Sequence, residues 1–190
     1  MNIPGLQDLQ TERAAVIETM ESLTDDEFDH APTLCAAWAP RDVLAHVMGL
    51  DTQLLEYVKA KGRVGVANQA IVDKARPQSR ARLMNRARHW AERPAPLVAA
   101  TAFFLLGDLA VHHQDVLRGL DRRRDVPDAL RAAILREGMT LGAKTLLAHK
   151  VVPTDGGRSL GRGPEVRGTS EALGLWLAGR QGLDDELEFV

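Results

Sequence analysis

The sequence predicts a mainly α protein: a four-helix bundle with an extra helix and a small C-terminal extension made of a hairpin and a helix. Three observations carry this expectation. Apolar residues recur at helical spacing through successive stretches of the chain. Proline, serine and threonine stand where those stretches begin. Glycines cluster near the end, five among the fourteen residues from Asp155 to Gly168, where the helical pattern gives way to turns.

The elements follow in order. Leu6, Leu9, Ala14, Ile17, Met20 and Leu23 form an amphipathic stripe, so a helix is expected over 6–23. Thr24, with Glu27 three residues on, has the form of a capping box and opens a short turn. Pro40 suits the first position of a second helix, since its missing N–H has no partner there anyway. That helix is expected to reach about Lys61, with Val43, His46, Val47, Leu50, Leu54 and Val58 on one stripe. Gly62 to Gly65 reads as a loop. The stretch from there to Pro77 reads as a long connection without assigned structure, the crossover such a bundle requires. Ser79 to Trp90 is the third helix.

Pro94 and Pro96 break it, and a fourth helix runs from about Leu97 to Leu120. Its start is apolar nearly all round, so it is expected to be the most buried element. Val126-Pro127-Asp128 opens a fifth helix, ending near His149, and Thr169-Ser170-Glu171 caps a last one over 172–180. The expected organisation is a metal-binding helical bundle over residues 1–150 with a short extension, 151–190, packed on it.

Composition narrows the function. The chain has 190 residues, with 24 basic and 26 acidic side chains, a net charge of −2. No strong field draws it to nucleic acid or to a membrane. The longest apolar stretch, Leu97 to Leu106, is about half of what a bilayer span needs. The first residues show no basic and apolar secretory pattern, so a cytoplasmic, soluble protein is expected. A single cysteine, Cys35, excludes an internal disulfide and any cysteine-based zinc finger; its apolar loop predicts a buried, inert thiol. Arg76, Arg80, Arg82, Arg86, Arg88 and Arg93 read as a solvated helix face. The glycines around Arg158 and Arg162 lack the ordered phosphate-loop pattern.

The candidate site lies in the fourth helix. Asp108, His112 and Asp115 stand at i, i+4 and i+7 and share one helix face. The apolar surroundings turn that face inward, where a carboxylate needs a compensating partner. A divalent metal meets that need, because a carboxylate and an imidazole four apart on one helix converge on one ion. His46, on the apolar stripe of the second helix, is the best candidate for a third ligand. Asp115 and His113 are candidates to orient His112 or to bind a ligand. Trp38 can line the pocket mouth, and Arg41 and Arg118 can fork onto a carboxylate. The plainer alternative keeps His46 as a hydrogen-bonded core residue and pairs Asp108 with Arg41 or Arg118. His30, His89 and His149 lie in polar or terminal settings and are expected at the surface.

These residues also carry a family resemblance. Thr33 through Val47, with Cys35, Trp38, Asp42 and His46, resembles the Cys-x-x-Trp-x-x-x-Asp-x-x-x-His signature of the mycothiol-dependent maleylpyruvate isomerase family. Asp108 through Asp115 resembles its second signature, Glu-x-x-x-His-x-x-Asp. Gly161–Gly168 and Leu173–Arg180 are similar to its closing strand and helix. The resemblance implies a DinB-like bundle with up-down-down-up topology. It implies a divalent metal, zinc by preference, held by His46, Asp108 and His112. Trp38, Arg41 and Asp115 are the candidates, read from their own chemistry, to contact the cosubstrate. The resemblance further implies mycothiol as thiol cosubstrate, whose metal-held thiolate attacks a small electrophile. An isomerase would release the thiol after bond rotation, and a transferase would leave it attached. Two departures stand out: Asp108 is one methylene shorter than the family's Glu, and the tail is shorter than the isomerase's.

Competing readings are a metal-dependent hydrolase using metal-bound water and a non-catalytic metal- or small-molecule-binding module. The expected partner is a small-molecule substrate, with no nucleic acid or membrane, and a homodimer is left open. The arginine excess, 19 against 5 lysines, is in keeping with a high-GC actinobacterial source, where mycothiol is made.

Overall fold

The computed structural model describes residues 5–35, 37–93 and 96–190. The expected mainly α class holds, and among the described residues strands occur only from Lys150 onward. By contact density the chain forms two compact units. One runs through Leu105 and takes in His112–Arg123; the other joins Leu106–Val111 to Arg124–Val190.

In the first unit, α1 spans Leu6–Ser22 and buries Leu9, Glu12, Arg13, Val16, Ile17 and Met20. Two charged residues thus occupy the core-facing row, while Ala14, expected on it, is exposed. The short α2, Asp25–His30, has the expected capping box: Glu27 N–H donates to Thr24 Oγ1 (3.2 Å) and Thr24 N–H to Glu27 Oε2 (2.8 Å). α3 spans Pro40–Thr52 and is buried from Asp42 to Gly49.

The second helix does not continue to Lys61. Gln53 departs from helical dihedrals, and α4, Leu54–Lys59, is a separate helix. The stripe of α3 therefore loses its register, and Val58 is 73% exposed. The stretch read as a connection is helical: α5 spans Val64–Ala75 and packs on α3 through Ala67, Ile71, Val72 and Ala75. Its valines, glycine and asparagine are weak helix formers, so burial against α3 overrides local preference.

α6 spans Arg80–Glu92, with Ser79 Oγ accepting from Arg82 N–H (3.3 Å), and buries Leu83, Met84, Ala87 and Trp90. Several arginines expected on a solvated face bridge elements instead. Arg80 donates to Asp25 and to the Met20 and Leu23 carbonyls, and its guanidinium lies 4.9 Å from the Phe28 ring centroid.

α7 spans Pro96–Gly119; Pro94, expected to break the preceding helix, lies outside the described residues. The burial of α7 reverses the expectation. Phe103 and Phe104 near its start are exposed, whereas every residue from Leu109 to Leu117 is buried, histidines and Asp115 included. The later half is the part that α1, α3 and the Pro32–Cys35 loop cover. α1 packs on α6 and α6 on α3; α3 meets α7 through His46 and His112, and α7 meets α1 through His113 and Glu12.

In the second unit, α8 (Asp128–Leu141) and α9 (Ala143–Ala148) replace the one helix expected to His149, with the break at Gly142. The expected hairpin, β1 (Lys150–Pro153) with β2 (Leu160–Gly161), belongs to a larger mixed sheet. β3 (Glu165–Gly168) runs parallel to β1, pairing Val151 with Val166, both fully buried. α10 spans Ser170–Leu177, and Thr169 caps it by accepting from Ala172 N–H (3.2 Å). β4 (Leu187–Phe189) closes the order β2-β1-β3-β4. α8 and α10 approach at Gly138 and Gly174, where a Cβ on Gly138 would sit 2.7 Å from the Gly174 Cα. No described helix is long and apolar enough to cross a membrane.

Candidate metal centre

The site is built on α3 and α7. Helical geometry puts Asp108, His112 and Asp115 on one face of α7. His112 and Asp115 are buried, and Asp108 is half-buried. His46, buried on α3, faces His112, with ring centroids 4.7 Å apart and an interplanar angle of 76°. One ligand atom from each of His46, Asp108 and His112 lies within 4.8 Å of the others. The three expected ligands are brought together.

Trp38 borders them, its ring 4.9 Å from that of His46 and 5.9 Å from that of His112. Its indole N–H donates to Gln69 Oε1 on α5 (3.3 Å), so the helix missed from sequence fixes this side chain. Asp115 Oδ2 lies 2.9 Å from His112 Nδ1. The carboxylate beside Nδ1 favours a proton there by its charge, which leaves Nε2 as the nitrogen with a lone pair for a cation.

His113 serves α1 rather than the ligand set. Its Nδ1 lies 2.7 Å from Glu12 Oε1 and its Nε2 lies 2.8 Å from Thr19 Oγ1. Glu12 and Thr19 are seven residues apart on the row that also carries Leu9 and Val16. A charged residue between Leu9 and Val16 on that row was the available signal. Beside it, Arg13 Nη2 donates to Asp51 Oδ2 (2.7 Å), and Trp90 Nε1–H donates to Asp51 Oδ1 (2.9 Å). Burial pushes the Arg13 guanidinium below its ordinary value, and Asp51 opposes that shift.

Arg41, expected as a carboxylate binder, is engaged in the fold. It donates to Asp29 Oδ1 (2.8 Å) and to the Arg76 and Gln78 carbonyls. The neighbouring Asp42 accepts from Arg76, and that hydrogen bond raises the Arg76 guanidinium above its ordinary value. Cys35, expected to be buried, is half-buried, with its sulfur in ligand range of His112 and Asp115. His30 and His89 are exposed as expected; His149 is half-buried, its ring centroid 5.5 Å from that of Trp176.

The donors His46, Asp108 and His112 fit a divalent cation. Zinc–ligand bonds of about 2.0–2.2 Å place neighbouring donors of one tetrahedral ion about 3.4 Å apart. Donors within 4.8 Å of one another stand at most about 1.4 Å beyond that spacing. Two imidazoles and one carboxylate also match the donor types of catalytic zinc sites, in which a further position stays open.

Compared with known families, residues 9–101 match the mycothiol maleylpyruvate isomerase N-terminal domain. That match spans just under half of the chain and likens its N-terminal half to the mycothiol maleylpyruvate isomerase family. The stretch matching that family's N-terminal domain contains Trp38 and His46 and ends before Asp108.

Two crystal structures share the maleylpyruvate isomerase fold with this chain. A histidine-to-alanine mutant of the mycothiol-dependent maleylpyruvate isomerase superposes with a TM-score of 0.71 at 12% identity, covering 97% of this chain and 91% of that one. The mycothiol-dependent maleylpyruvate isomerase itself gives 0.64 at 13% identity, with the same coverage. Both show the fold, and with it the expected DinB-like class. No curated protein matches the chain.

Proposed function

We propose that the chain is a metal-dependent, mycothiol-using S-transferase or isomerase, with His46, Asp108 and His112 holding the metal, zinc by preference. The observation that carries this reading is the convergence of those donors from α3 and α7 in a chain whose residues 9–101 match that family's N-terminal domain. A divalent cation bound there supplies Lewis acidity, which keeps a thiol ionised near neutral pH and makes it a nucleophile.

The protein's own residues do the rest. Asp115 sets a negative charge 2.9 Å from His112 Nδ1. Glu12 and Thr19 hold His113 and so fix the rotation of α7 about its axis. Trp38 walls one side of the two imidazoles. Asp108 is the most exposed of the three donors.

Metal analysis of untagged protein supplied with zinc tests the reading. One equivalent is expected, lost in both His46→Ala and His112→Ala. Mycothiol added to cobalt-loaded protein is then expected to change the visible spectrum. Absence of metal, its retention in either variant, or an unchanged spectrum overturns the reading.

A further inference from the structure

A second donor set lies beside the first. The Cys35 sulfur, a His112 nitrogen and an Asp115 carboxylate oxygen lie within 4.8 Å of one another. We propose that Cys35, His112 and Asp115 form a second cation site, for a soft divalent cation such as cadmium, whose occupancy excludes that of the His46–Asp108–His112 set.

The donors differ in kind from the first set. A thiolate selects soft cations, whereas imidazole and carboxylate alone do not. Charge also favours the site. Asp115 is fully buried, and a thiolate with a carboxylate neutralises a doubly charged cation, so no net charge is left in a low-dielectric interior.

The backbone holds the donors in place. The Thr33 hydroxyl accepts from Cys35 N–H (3.1 Å), and Trp38 N–H donates to the Cys35 carbonyl (2.8 Å). Leu34 N–H donates to the Asp115 carbonyl (3.0 Å), which ties the loop to the helix carrying the other two donors. Gly119 permits that approach: a Cβ there would meet the Thr33 Cα at 2.5 Å.

Exclusion follows from the shared ring. A neutral imidazole offers one lone pair, and Nδ1 is the nitrogen beside Asp115. Binding through Nδ1 places the ring proton on Nε2 and withdraws His112 from the first set. The proposal requires the geometry of these three residues and does not depend on mycothiol use.

The test titrates the metal-free full chain with cadmium, following the near-ultraviolet thiolate-to-cadmium charge-transfer band. In the wild type the band is expected to saturate sharply at a single equivalent, with total bound cadmium also one equivalent by elemental analysis. His46→Ala is expected to titrate like the wild type. Asp115→Asn and His112→Ala, each confirmed folded by circular dichroism, are expected to need about tenfold more cadmium or higher. A shallow rise without an endpoint in the wild type marks a thiol acting alone and overturns the site, whatever the variants do. An unchanged curve in folded His112→Ala also overturns it. Loss of the band in His46→Ala, or two bound equivalents in the wild type, overturns exclusion. Zinc binding by Cys35→Ser is expected to persist at the first set, and its failure counts against the proposed function rather than against this site.

Discussion

Asp51 faces Arg13 across α3 and α1, and Asp51→Ala is expected to be among the most damaging single changes in the first unit. The side chains are 2% and 5% exposed, with Nη2 2.7 Å from Oδ2. Arg13 Nη1 also donates to the Trp90 carbonyl (3.1 Å), and the guanidinium stacks 4.3 Å from the Trp90 ring centroid. Unit charges about 4 Å apart at an effective dielectric near 20 attract by about 4 kcal/mol. Removing one partner of a buried pair loses that attraction and leaves the other charge desolvated, at a cost of about 3–5 kcal/mol. For a chain of this size that is a fall in Tm of about 6–20 °C.

Thermal unfolding followed by circular dichroism measures it. Arg13→Met combined with Asp51→Leu removes both charges, so the double variant is expected to lose only about 1–3 kcal/mol. That remainder comes from the orphaned Trp90 indole N–H and Trp90 carbonyl. A loss below about 1 kcal/mol for Asp51→Ala would place the pair with exposed ones and refute the reasoning. A double variant as unstable as the two single changes summed would refute it equally.

Two further predictions follow from packing and charge. Gly138→Ala gives α8 a better helix former but drives a methyl into the backbone of α10; unfolding by denaturant is expected to show a loss of about 1–3 kcal/mol, and a gain would exclude the tight crossing. Glu27 is held below the ordinary glutamate value of 4.5, chiefly by the Thr24 backbone N–H and further by the Thr24 hydroxyl and Arg122. Because the native value is the lower one, the stabilisation is present above that ordinary value and is lost as pH falls through the native one. The Tm difference between wild type and Glu27→Gln is therefore expected at neutral pH and to vanish in acid. A difference that persists in acid would sink the assignment.

Features decided within one or two helical turns were legible in the sequence. Thr24 with Glu27, Ser79 and Thr169 cap their helices because a side-chain oxygen reaches an amide two or three residues on. Asp108, His112 and Asp115 share a face because the helical period alone dictates it. The break at Gln53 and the helix over 64–75 were not legible, since the local propensities of Val64, Gly65 and Asn68 argue against a helix that α3 nonetheless stabilises.

The sequence by itself determined the helical class, the cap positions and the α7 half of the candidate site, all set by backbone hydrogen bonds and side-chain period over a few residues. Tertiary structure alone decided that His46 meets His112, that Glu12 takes His113, that Cys35 lies beside Asp115, and that β3 runs parallel to β1. Those pairings depend on the rotation of each helix about its axis and on which backbones can approach. Residues far apart in the chain, such as Gly119 with Thr33 and Gly138 with Gly174, fix both.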